Sequence, residues 1–137
     1  MRHRAVVVAL VLGVFGLAVS GAEKPPENYQ KAMKDLGAFA QGIGKAISDQ
    51  DYDAVSKYAA SAEAAFVVAG AFWTTKGDAD AAKTAQTGEK AAGDLAVVAG
   101  LKSAEGAAYS AKGVTDVCAG CQAAHRETMP DGSFQIK

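Results

Sequence analysis

The chain has 137 residues, a formal net charge of −1 and 21% charged residues, with half its residues hydrophobic. That length suits one small domain, and the near-neutral balance without any Lys/Arg cluster argues against nucleic acid or an anionic membrane surface as a partner. No paired-carboxylate, Ser/His/Asp or phosphate-loop pattern argues for a hydrolase or transferase, so a non-enzymatic role is expected.

Residues 1–22 read as a secretory signal peptide. "MRHR" is a short basic region, "AVVVALVLGVFGLAV" is an uncharged apolar run, and "SGAEK" offers small residues for cleavage after Ser20 or Ala22. The run falls short of the roughly 20 apolar residues that span a bilayer comfortably, which favours cleavage over a retained anchor. The mature domain is then residues 23–137, exported and periplasmic, with no membrane attachment after cleavage. It loses Arg2 and Arg4 and no acid, so 12 basic residues face 15 acidic ones, a net of −3.

Four helices follow in the mature chain. Its three prolines, Pro25, Pro26 and Pro130, lie at the ends of the folded region, and alanine is abundant between them. The first helix is expected over about 27–48, with Tyr29, Met33, Leu36, Phe39/Ala40, Ile43 and Ile47 recurring at three- and four-residue steps. "SDQD" ends it, with Ser48 or Asp49 able to cap the next. The second helix is expected over about 52–73, striped by Val55, Ala59, Ala62, Phe66, Ala69 and Trp73. "TTKGDAD" turns into a third over about 78–101, lined largely by alanine, and "KSAEG" opens a fourth over about 103–128. "PDG" then stops the chain's helical run. No strand pattern competes, so the expected architecture is all-α, an antiparallel up-down-up-down four-helix bundle. The alanine-lined third helix either permits close helix approach or leaves a gap for a flat cofactor.

The fourth helix carries the chemistry. Ala107, Ala111, Val114, Cys118, Cys121 and His125 step by four, three, four, three and four, which sets both thiols and the imidazole on one stripe. Gln122 lies beside it. Four uses fit the residues: thioether attachment of haem c, whose usual form is CxxCH; a disulfide between Cys118 and Cys121; a redox dithiol, disfavoured without alternating strands and helices; and a Cys118/Cys121/His125 metal site needing one further ligand.

The mature chain resembles the class II c-type cytochromes, the cytochrome c′-like four-helix-bundle family. The resemblance rests on "ENYQKAMKDLGAF" in the first helix, "AFVVAGAFW" at the end of the second, and "VCAGCQAAHRETMPDGSFQIK". It implies covalent haem c near the end of the last helix, export, and electron transfer or small-gas binding with an unidentified redox partner protein. It further implies dimerisation of the kind relatives show through their first two helices. Cys118 and Cys121 match the thioether cysteines, and Gln122 stands where the family has its proximal histidine. Arg126 matches a basic residue beside the proximal haem face, and Met33 lies near the position of a methionine sixth ligand. Phe39, Phe66, Phe72 and Trp73 are candidates for the pocket wall.

Gln122 departs from the pattern. An amide oxygen is a weak, hard donor to haem iron compared with imidazole. His125 is displaced from Gln122 by roughly 4.5 Å along the helix and about 60° around it. Three states follow: haem ligated by Gln122, water or Met33; haem ligated by His125; or a haem-free bundle acting as a binding or structural module, its cysteines a disulfide or part of a metal site.

Overall fold

The computed structural model describes residues 22–137, so the expected signal peptide lies almost wholly outside the described residues. The described chain is an all-α four-helix bundle: α1 Glu27–Ser48, α2 Tyr52–Lys76, α3 Ala79–Gly100 and α4 Ala104–His125. The helices agree with the sequence expectation to within a few residues at each end. Consecutive helices pack side by side, and α4 returns to touch α1 more sparsely. Contacts run in opposite order along α1 and α2: Tyr29 meets Trp73, while Phe39 meets Tyr58. No helix among the described residues is long and apolar enough to cross a membrane.

One device makes all three helix connections. At each, a residue in the left-handed region closes the outgoing helix: Gln50 (φ 56°), Gly77 (φ 77°) and Lys102 (φ 54°). Its N–H and that of the next residue bond back to the last turn, as in Gly77 to Thr74 and Asp78 to Trp73. This is the Schellman pattern. The very next residue caps the following helix. Asp51, Asp78 and Ser103 accept from the N–H groups of Ala54, Ala81 and Gly106 at 2.9, 2.9 and 3.1 Å. The cap of α2 is therefore Asp51, two or three residues beyond the expected Ser48 or Asp49. Such tight connections hold neighbouring helices together along their length.

The core is built mainly from small side chains. Ala59, Ala62, Ala92 and Ala107 are fully buried, and Phe39, Leu95, Val55 and Val114 are its largest fully buried members. Gly88 of α3 marks a close approach, against the ring of Phe66. Alanine at this density brings backbones together and leaves little bulk to fill any divergence between helices.

The fourth helix is shorter than its expected limit of residue 128. At Arg126 the backbone turns extended (φ −103°, ψ 132°). Arg126–Thr128 forms β1, which pairs antiparallel with β2, Phe134–Ile136. The reason is local: Pro130 and the Asp131–Ser133 turn, with Gly132 at φ 82°, favour a hairpin over another helical turn. Glu23 bridges to Ile136, and its carboxylate pairs with Lys76 at the end of α2. The hairpin and the chain entering α1 are thus fastened across one end of the bundle, beside the cysteines.

Candidate functional site

The last two turns of α4 meet α1 where the bundle is least closely packed. A cleft of about 310 Å³ opens there. Met33, Leu36, Gly37 and Ala40 line it from α1, Phe66 and Ala69 from α2, and Thr84 and Ala85 from α3. The fourth side consists of Thr115, Val117, Cys118, Ala119, Cys121 and Gln122, with Arg126 at the rim. Gly37 and four alanines among the lining residues leave space that the larger side chains around them do not fill. Ala40, expected on the buried stripe, is exposed and belongs to this cleft.

Both cysteines are free, half-buried thiols, three residues apart on one wall. Burial pushes the Cys118 thiol up to about 11, with the neighbouring Cys121 adding to the shift. The Cys121 thiol is raised by burial and then by the Asp78 carboxylate. At neutral pH both are protonated thiols rather than poised nucleophiles. Tyr29, a residue sequence reading took only as core, lies close enough that Cys121 helps burial raise its phenol to about 12.

Gln122 is engaged at both ends of its amide. Its Nε2 donates to Met33 Sδ at 3.4 Å, a link from α4 to α1. Its Oε1 accepts from an Arg126 guanidinium nitrogen at 3.1 Å. The Arg126 guanidinium in turn lies over the Phe134 ring, 3.1 Å from its centroid. Met33, Cys121, Gln122 and Arg126 also line a second, smaller cavity of about 60 Å³, shared with Tyr29, His125 and Ile136. These four residues form the wall between the two spaces.

His125 is not on the main cleft. Its ring lies 4.4 Å from the Trp73 ring, tilted by 43°, and its Nδ1 is 3.9 Å from an Asp78 carboxylate oxygen. Among the described residues, no three His, Cys, Asp or Glu side chains are gathered to hold a metal ion. Of the four aromatic candidates, only Phe66 lines the cleft. Phe39 is fully buried against Tyr58, while Phe72 and Trp73 cluster with Tyr29 under His125. Trp73 is buried, and its indole N–H has no hydrogen-bond partner.

Thus Met33, Cys118, Cys121, Gln122 and Arg126 come together on the main cleft, and His125 meets this group only at the smaller cavity. Sequence reasoning missed the cleft's Leu36, Gly37, Thr84 and Thr115, and the Asp78 carboxylate that faces both Cys121 and His125. Only the cap position of Asp78 was visible in the pattern. Comparison with protein-family models, curated proteins and solved structures gives no match.

Proposed function

We propose that the chain is an exported c-type cytochrome-like protein, holding haem c through Cys118 and Cys121 and serving one-electron transfer or small-gas binding. The observation that carries this reading is the apolar cleft with both thiols on a single wall. Its volume lies at the lower end of the range for small-molecule and cofactor sites. The exposed Ala40, Ala119 and Arg126 at its margin leave an edge open for a group larger than the enclosed space. The attachment pair on one wall and the largely apolar lining suit a flat tetrapyrrole.

Cys118 and Cys121 would hold the group covalently, and when bound it supplies a reversible one-electron couple and an iron coordination site. The chain's own residues do the rest. Leu36, Phe66, Ala69 and Ala85 exclude water from one side of the cleft. Arg126 brings positive charge to the rim, where it would attract carboxylates. Met33 offers a thioether from α1, and soft sulfur suits haem iron better than an amide. Electron exchange with a redox partner protein would proceed at the open edge. The export and homodimer expectations belong to the same proposal.

A second reading draws on the Gln122 amide, whose oxygen is taken by Arg126 and whose nitrogen is turned to Met33. A chain with no free donor after its second cysteine suits a haem-free bundle that binds another ligand in the same cleft. Expression in a periplasm equipped for cytochrome maturation separates the two. Covalent haem in the intact mass, with a Soret band, is the expected result. Absence of both would remove the cytochrome reading, and Gln122→His acquiring haem would then identify a pocket that lost its ligand.

A further inference from the structure

The cleft brings together three sulfur-bearing side chains from opposite helices. Cys118 and Cys121 belong to α4, and Met33 belongs to α1, 85 and 88 positions away in the sequence. Met33 does not reach this position by packing alone, because the Gln122 amide donates to its sulfur from the turn that carries Cys121. The expected third member of a metal set, His125, lies off this cleft, beside Trp73 and Asp78.

We propose that, with both thiols free, Met33, Cys118 and Cys121 form a three-coordinate site for Cu(I). Two thiolates and a thioether are the donors that soft, monovalent copper prefers, whereas Zn(II) would want a fourth, harder ligand. Binding is ligand exchange without redox change: two S–H protons leave to solvent as two Cu–S bonds form, and the Met33 thioether donates a lone pair. Copper enters and stays as Cu(I). The inference goes beyond the haem reading and does not rest on it. The two occupants exclude each other, because a thioether-linked cysteine is no longer a thiolate. Gln122 is a positioning residue for this site rather than a ligand.

The test uses the full chain made in a host without cytochrome maturation, reduced, with an intact mass showing no haem. Cu(I) is titrated against a chromophoric Cu(I) chelator under anaerobic conditions. One Cu(I) per chain is expected, with X-ray absorption at the copper edge giving three sulfur scatterers. Met33→Leu keeps side-chain volume and is expected to weaken affinity about tenfold, while leaving the helical circular dichroism unchanged. Cys118→Ser and Cys121→Ser should abolish stoichiometric binding, and His125→Ala should leave it unaltered. Failure to retain Cu(I), a nitrogen scatterer, or a Met33→Leu chain that binds like its parent would each overturn the proposal. Haem attachment is read in a different host by mass, so either reading fails without the other.

Discussion

Gly88 sits on α3 against the ring of Phe66, which lines the cleft and is only 3% exposed. A Cβ added at residue 88 would come 2.6 Å from Phe66 Cδ1 and closer still to Cε1 and Cζ. Two terms of opposite sign then compete in Gly88→Ala. Replacing glycine in a helix interior contributes roughly 1 kcal/mol of stabilisation. Forcing an extra carbon into a packed interior costs about 1–3 kcal/mol. The net expectation is therefore destabilisation, up to about 2 kcal/mol. The Phe66 ring lines the cleft, which gives it a direction in which to yield.

Gly44 on α1 gives the propensity term alone, because an added Cβ there meets nothing within 4 Å. Gly44→Ala should raise the urea midpoint, followed by far-ultraviolet circular dichroism, and Gly88→Ala should lower it. The difference between the two, about 1–3 kcal/mol, isolates the steric term. Adding Phe66→Leu to Gly88→Ala should recover part of the loss in a double-mutant cycle. A Gly88→Ala midpoint as high as that of Gly44→Ala would refute the close approach.

Lys102 holds the left-handed position that Gly77 holds in the preceding loop, so Lys102→Gly should stabilise by roughly 0.5–1 kcal/mol in urea unfolding, and Gly77→Ala should cost a comparable amount. Asp78→Ala removes the cap from Ala81 N–H and should lower stability by about 1 kcal/mol. In the metal-free, haem-free protein, folding keeps the Cys118 thiol protonated up to about 11 against an ordinary 9.0, and the Tyr29 phenol up to about 12 against 10.0. The unfolded chain therefore loses these protons first, so stability is at its full level below about pH 9 and falls from there through pH 12. Urea midpoints across that range should show the decline, and Tyr29→Phe should flatten its upper part.

Periodicity was enough to find four helices and their order, because each buried face is written locally at three- and four-residue steps. The loops were legible in kind but not in position. A left-handed residue followed at once by a cap is clear at Gly77–Asp78. It is disguised at Gln50–Asp51 and Lys102–Ser103, where the left-handed residue is not glycine. The short hairpin at the end was hidden because Arg126–Thr128 continues the helical pattern, and only pairing with Phe134–Ile136 makes it extended. The cleft is a deficit of side-chain volume shared by four helices, which no single helix reveals.

Geometry around α4 explains why two residues read as alternatives at the site have separate surroundings. Gln122 and His125 point about 60° apart around the helix. At this end of the bundle, that angle selects the neighbour. Gln122 faces α1 and finds Met33, whereas His125 faces the end of α2 and the start of α3 and finds Trp73 and Asp78. A stripe drawn through Cys118, Cys121 and His125 treats the helix as though one uniform partner flanked it. In the bundle, the partner changes within a single turn. The residue after the second cysteine therefore matters through what it reaches across the cleft. With glutamine there, the reach ends on Met33, which makes that thioether the shared element of both the haem and the copper readings. Met33→Leu is accordingly the substitution expected to alter either bound state while leaving the bundle intact.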